Sequence, residues 1–154
     1  MKPAVHGASN ASTVKPMLLE QAKRRAEREH VEVDLRLGDA QALPFVDASF
    51  DTVIATFVFC SVPDPVQGLR EAVRVLVPFG QLLLLEHVLS GNVILRPLMQ
   101  LANPLMVRMS GANVNRETVK NVERAGFVVQ RVDDPWGDIV KFIEAAKPLP
   151  KPIE

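Results

Sequence analysis

Two nearly continuous apolar runs, Val53-Ile54-Ala55-Thr56-Phe57-Val58-Phe59 and Leu82-Leu83-Leu84-Leu85, constrain this chain more than any other feature. A strand that is apolar on both faces has to be covered on both faces, which is the situation of a strand inside a parallel sheet. Residues 52–59 are therefore expected as a central buried strand, and residues 81–87 as a second. Between them Pro63-Asp64-Pro65 marks a turn, and residues 66–77 carry Leu69, Val73 and Leu76 on one helical face. Strand, helix and strand in that order give an α/β layer with parallel strands.

The flanking segments extend the pattern. Residues 31–37 alternate Val31, Val33, Leu35 and Leu37 with Glu32, Asp34 and Arg36, as an outer, half-buried strand does. Upstream, Met17, Leu18, Leu19, Ala22 and Ala26 fall near helical spacing behind Pro16, which predicts a helix over 16–30. Residues 1–13 show neither period and read as a loose tail. After the second buried strand, residues 90–111 are rich in Leu, Met and Pro and predict one or two helices. Asn115 is a candidate N-cap for a helix over 116–125, which Gly126 would end. Strands are expected over 127–132 and 138–145, followed by an extended, proline-rich tail over 147–154. One domain over 14–146 between two tails is the resulting organisation.

Composition narrows the function classes. Among 154 residues, 18 basic and 18 acidic side chains balance, and the longest like-charge block is Lys23-Arg24-Arg25. The electrostatic footprint of a nucleic-acid binder is missing. Cys60 is the single cysteine, so the chain can form no internal disulfide and no cysteine-based metal cluster, and a reducing, cytoplasmic setting is expected. The first residues lack the apolar core of a secretory signal, and the segment 93–107 contains Arg96, Pro97, Asn103 and Pro104, too polar for a membrane span.

In an open parallel sheet, ligands bind beyond the carboxyl ends of the strands. Asp39 and Ala40 follow the strand at 31–37, and Thr56 and Phe57 lie near the end of the strand at 52–59. A carboxylate there can accept a hydrogen bond from an adenine amino group while the Ala40 N–H meets a ring nitrogen, although an Asp after Gly is also ordinary turn chemistry. Beside Glu86, His87 is either a proton acceptor near neutral pH or half of a structural strand-end pair. Cys60, with no adjoining cation, reads as a small buried side chain. The Leu- and Met-rich stretch 93–107 is either a lid over an apolar acceptor or a helix packed on the sheet.

The order Gly38-Asp39-Ala40-Gln41-Ala42-Leu43-Pro44-Phe45, Ser49-Phe50-Asp51, Phe59-Cys60-Ser61-Val62-Pro63-Asp64 and Leu69-Arg70-Glu71-Ala72-Val73-Arg74-Val75-Leu76 resembles class I S-adenosylmethionine-dependent methyltransferases of the ubiquinone/menaquinone-biosynthesis type. Gln81 to Val88, Gly111-Ala112-Asn113-Val114-Asn115-Arg116-Glu117-Thr118 and Glu123-Arg124-Ala125-Gly126-Phe127 carry the resemblance onward, so that it covers residues 16–146. It implies a Rossmann-like sheet, mostly parallel with an antiparallel C-terminal strand, and S-adenosyl-L-methionine as cofactor. Asp39 and Ala40 would take the adenine, and Thr56 and Phe57 would wall the cofactor. The acceptor implied is small and hydrophobic, lipid- or quinone-like, and no metal is needed. No catalytic side chain is singled out, because direct methyl transfer rests mainly on proximity and alignment.

The resemblance also marks departures. No Gly-x-Gly occurs in the chain, the ribose-binding acid is expected near Thr13, and Phe79 stands where the turn before the second buried strand usually has a glycine. The family's first strand, at the sheet centre beside the strand at 52–59, would be missing. That strand would then present an apolar edge, which the strand at 31–37, a second copy of the chain in a homo-oligomer, or a longer gene product could cover. A non-catalytic interaction or regulatory module derived from a methyltransferase is the alternative function.

Overall fold

The computed structural model describes residues 5–10, 16–110, 113 and 115–149. Strand β1 (Val5–Asn10) is followed by α1 (Pro16–Arg28), β2 (Val33–Gly38), β3 (Phe50–Thr56) and α2 (Pro65–Val75). Then come β4 (Leu76–His87), α3 (Leu95–Ser110), α4 (Thr118–Arg124), β5 (Val128–Asp133), β6 (Pro135–Asp138) and β7 (Val140–Ala146). Four strands form one sheet in the order β3-β4-β7-β5, and β1 and β2 form a separate two-stranded sheet. The pairs β1–β2 and β3–β4 are parallel, whereas β7 runs antiparallel to β4 and β5. This is the mostly parallel α/β class with an antiparallel C-terminal strand that the sequence implies.

The core lies on one face of the four-stranded sheet. Register places Val53, Leu82 and Ala145 in one row and Ala55, Leu84 and Ile143 in the next. Leu69 and Ala72 of α2 and Val122 of α4 close over these rows, all buried. Asp64 caps α2, its carboxylate accepting from the N–H groups of Val66 and Gln67, with Pro65 in the first turn. The opposite face carries the rows Ile54–Leu83–Glu144 and Thr56–Leu85–Phe142, none of which is fully buried.

Several expectations are corrected. Residues 5–10 are a strand rather than loose tail, paired from Val5↔Val33 to Asn10↔Gly38. A ladder needs only backbone groups, and Gly7, Ala8 and Ser9 supply these without any apolar period. The expected central strand ends at Thr56 and is an edge strand, with Ile54 71% exposed. The helix expected over 116–125 starts at Thr118 behind Glu117, not at an Asn115 cap, and makes no side-chain cap bond. The expectation of one or two helices over 90–111 holds as a single helix, with Pro104 inside it. The proline-rich tail from residue 150 lies outside the described residues.

Helix α2 stops at Val75 because Pro78 disfavours helix in the residue before it, and the chain turns directly into β4. The β3–β4 register slips between Phe50↔Leu76 and Thr52↔Gln81, so residues 77–80 bulge. In that bulge Phe79 sits at φ 63 with its ring exposed. A side chain in the left-handed region costs roughly 1 kcal/mol or more. Phe79→Gly is therefore expected to stabilise the fold by about 0.5–1 kcal/mol in urea unfolding. A loss of stability would show that the ring contributes packing the structure does not contain.

Candidate functional site

The carboxyl ends of β2, β3 and β4 carry the residues singled out by sequence. Asp39 follows β2 in a tight turn, its Oδ1 accepting from the Gln41 N–H at 2.9 Å and its carbonyl from the Ala42 N–H at 3.0 Å. This is Asx-turn chemistry, and it leaves the carboxylate further accepting capacity. Gln41 continues the turn outward, its Oε1 accepting from the Asp64 N–H at the start of α2. Ala40 packs where α2 comes closest: a Cβ on Gly68 would lie 3.4 Å from the Ala40 carbonyl oxygen and 3.0 Å from the Phe59 ring. A side chain at Gly68 would press on the Phe59 ring, which would have to shift by a few tenths of an ångström.

The loop 39–47 is fastened to α2 by one guanidinium. Arg74 donates to the carbonyls of Leu43 at 2.9 Å and Phe45 at 2.7 Å, to Asp47 at 2.7 Å and to both oxygens of Glu71 at 2.8 Å. Glu71 in turn accepts the Leu43 N–H at 2.8 Å. Hydrogen bonding to Arg74 holds the Glu71 carboxyl below the usual range.

After β3 the backbone turns sharply. Thr56 is exposed at the strand end, and Phe57, at φ 55, donates its N–H to Leu85. The Phe57 ring lies 4.5 Å from the His87 ring. The next three N–H groups all point at Glu86: Val58 and Phe59 donate to Oε1 at 2.8 and 2.9 Å, and Cys60 to Oε2 at 3.1 Å. Glu86 is fully buried, and desolvation raises its carboxyl pKa despite these donors. Glu86 and His87, adjacent on β4, therefore face opposite ways. Cys60 is buried, and its thiol is pushed up to about 11 first by desolvation and then by the charge of Glu86, the opposite of an activated nucleophile. Sequence reasoning missed the role of Glu86, because its partners are backbone groups 26 to 28 residues away that no side-chain pattern encodes.

A cavity of about 120 Å³ joins the two turns. Ala40, Leu43 and Phe45 line one side, and Val53, Ala55 and Val58 the other. Of the four predicted residues, Ala40 lines it directly, while Thr56 and Phe57 lie between two lining residues. Asp39 adjoins it through Ala40. Thr13 lies outside the described residues.

The Asn92 carboxamide, accepting from Ile94 and Leu95, starts α3 near the same end of the sheet. Asp138 accepts from Ser90, Gly91 and Asn92 and fixes that start. The helix exposes Leu98, Leu101, Leu105 and Met109 at helical spacing. No described helix is long and apolar enough to cross a membrane.

An open α/β sheet with paired turns at its carboxyl ends defines a nucleotide-cofactor class of fold. Known proteins narrow this class. A family profile described as a methyltransferase domain matches residues 8–84, and the chain belongs to that family. It is 41% identical over 88 residues to the ubiquinone/menaquinone biosynthesis C-methyltransferase UbiE of Ruegeria sp., covering 56% of this chain and 35% of that protein. The match spans between about a third and just over half of the length of the curated relatives. Among solved structures, a SAM-dependent methyltransferase from Methanosarcina mazei matches with a TM-score of 0.72 at 22% identity, over 96% of this chain and 83% of that one. The [4+2]-cyclase SpnF matches with a TM-score of 0.73 at 19% identity, over 96% of this chain and 67% of that one. A cyclase on the same fold is a reminder that architecture alone does not give the reaction.

The cofactor of the methyltransferase class is S-adenosyl-L-methionine. Its adenine end fits the residues present: an Asp with accepting capacity, a neighbouring backbone N–H, and an apolar cavity bounded by Phe59. The cavity is smaller than the ~300 Å³ that encloses a whole small ligand.

Proposed function

We propose that this chain forms the adenine-binding and acceptor-facing part of a SAM-dependent methyltransferase acting on a small, hydrophobic, quinone-like acceptor. The observation that carries the proposal is the shared cavity between the Asp39-Ala40 turn and the Glu86-clamped turn after β3. In this reading Asp39 accepts from the adenine amino group, Ala40 donates to the ring, and Thr56 and Phe57 wall the cofactor. When bound, the cofactor supplies an electrophilic methyl group. The protein's own part is orientation: Arg74 fixes the first turn, Glu86 fixes the second, and the apolar residues of α3 exclude water from the acceptor. The quinone-biosynthesis names of the relatives and the exposed apolar stripe of α3 support a hydrophobic acceptor. A cytoplasmic setting is proposed with it.

The test is transfer of a radiolabelled methyl group from SAM to a short-chain demethylated quinol. Label is expected on the quinol, and Asp39→Ala is expected to weaken SAM binding about tenfold, the worth of one good hydrogen bond. A second reading, a non-catalytic interaction module, is favoured by the bare edge of β3. It is the reading that stands if SAM fails to bind at millimolar concentration.

A further inference from the structure

Methyl transfer to a neutral acceptor contains one task that orientation does not perform: the acceptor's proton has to go to a base. Most titratable groups at the carboxyl ends of β2, β3 and β4 are already engaged. Glu86 is fully buried against three N–H groups, and Cys60 is buried with its thiol pushed up to about 11. Asp39 holds the Gln41 N–H and is assigned to the adenine, and Asp64 caps α2. Asp138, beyond the end of β4, is turned to Ser90 and Gly91.

His87 is different. It is the last residue of β4, and strand alternation turns its ring away from Glu86, to the face of Leu85 and Phe142. The ring is half-buried, and its contact is the Phe57 ring, 4.5 Å away and tilted by 32°. Among the described residues no hydrogen bond or ion pair occupies its nitrogens. Val140 stands beside it on β7, and Thr56, Leu85 and Phe142 form the next row. The charged residues on this face are Glu144, two rows back beside Leu83, and Asp133 and Arg131 on β5, which pair among themselves. His87 thus adjoins Phe57, the residue assigned to the cofactor wall, and lies three residues before Ser90, where the lead into α3 is anchored.

We propose that His87 is the general base that takes the acceptor's proton, with a flat aromatic acceptor such as a hydroquinone lying against the Phe57–His87 pair. The role rests on the methyl-transfer reading and names a residue for it. The acceptor's hydroxyl proton goes to an imidazole nitrogen, and the electron pair so released forms the bond to the methyl carbon, through oxygen or through the conjugated ring carbon. The pair of the broken C–S bond stays on sulfur. In the ring-carbon case the displaced ring hydrogen moves to oxygen as a proton, which restores the aromatic quinol. Histidine is the side chain that exchanges a proton between about pH 5 and 8 without help from its surroundings.

The test uses the whole chain and a short-chain hydroquinone. In NMR the hydroquinone is expected to shift the imidazole signal of His87, identified by its loss in His87→Phe, a variant that keeps a ring against Phe57. In methyl transfer, His87→Phe is expected to lower kcat about a hundredfold, with SAM affinity held within about twofold, and to remove the rise in rate between about pH 5 and 8. His87→Ala, which leaves room for a small base, is expected to regain part of its rate from added imidazole. A His87 signal that the hydroquinone leaves in place, or a His87→Phe equal to an active wild type in rate and pH profile, overturns the role alone. A fall in kcat with the pH profile unchanged and no rescue by imidazole also overturns it, and assigns the ring to packing on Phe57. A wild-type chain that transfers no methyl group overturns the methyl-transfer reading, and this role with it.

Discussion

Glu86→Ala is expected to destabilise the fold by about 3–5 kcal/mol, because it leaves three inward N–H groups without an acceptor. That is a large part of the ~5–15 kcal/mol a small domain has in total. Each orphaned donor costs about 1–3 kcal/mol, and Phe59 and Cys60 are themselves buried, so water cannot replace the carboxylate there. Glu86→Gln should cost less, since one amide oxygen can still accept from Val58 and Phe59 while the amide NH₂ faces the Cys60 N–H. Urea unfolding of the two variants checks the order. Equal, small effects would mean that the turn after β3 is held by packing alone.

The pH dependence follows from the same group. Because burial raises the Glu86 pKa in the folded state, the stability tied to its protonated form is fully present below the usual glutamate value. It is lost as pH rises through the raised folded value. The Gln variant should show a flatter profile across that window.

Arg74→Ala is the second large effect, at about 2–3 kcal/mol, since the side chain ties α2 to the loop carbonyls of Leu43 and Phe45 and to Asp47, and pairs with Glu71 on its own helix. Exposed ion pairs contribute little, so most of this comes from the carbonyls of Leu43 and Phe45 and from Glu71. Arg74→Lys should recover only part, because an ammonium cannot reproduce the planar fork. Faster amide exchange over residues 40–47 is the signature to look for. Unchanged exchange there would separate Arg74 from the Asp39-Ala40 turn. Glu71 has a depressed pKa, so its share of this stability is present above the usual carboxylate value and lost as pH falls through the folded one.

The parts of the fold legible in the sequence were those written in side-chain period. Val53 to Thr56 and Leu82 to Leu85 announced two strands, the second buried on one face and the first an edge strand rather than the central one expected, and Asp64-Pro65 announced a helix start, because hydrophobicity and capping are local signals. Strand β1 was hidden, since Gly7-Ala8-Ser9 has no apolar alternation and pairs through its backbone. The start of β4 at Leu76 was hidden too: residues up to 77 continue the helical period of α2, and only Pro78 ends it. Asn115 looked like a cap because of its residue type, yet the chain enters α4 two residues later. Of the candidate site, the Asp39-Ala40 turn was visible as a motif. The Glu86 clamp was not, for it is a contact between a strand side chain and a distant backbone.

The central claim is that the described residues form the adenine side of a SAM site. Titrating the whole chain with adenosine and with SAM, side by side in one calorimeter, tests it most directly. Comparable affinities, within about fivefold or 1 kcal/mol, are predicted, because the contacts described all fall on the adenine end. SAM binding about a hundredfold tighter than adenosine, or SAM binding unaffected by saturating adenosine, would contradict the account.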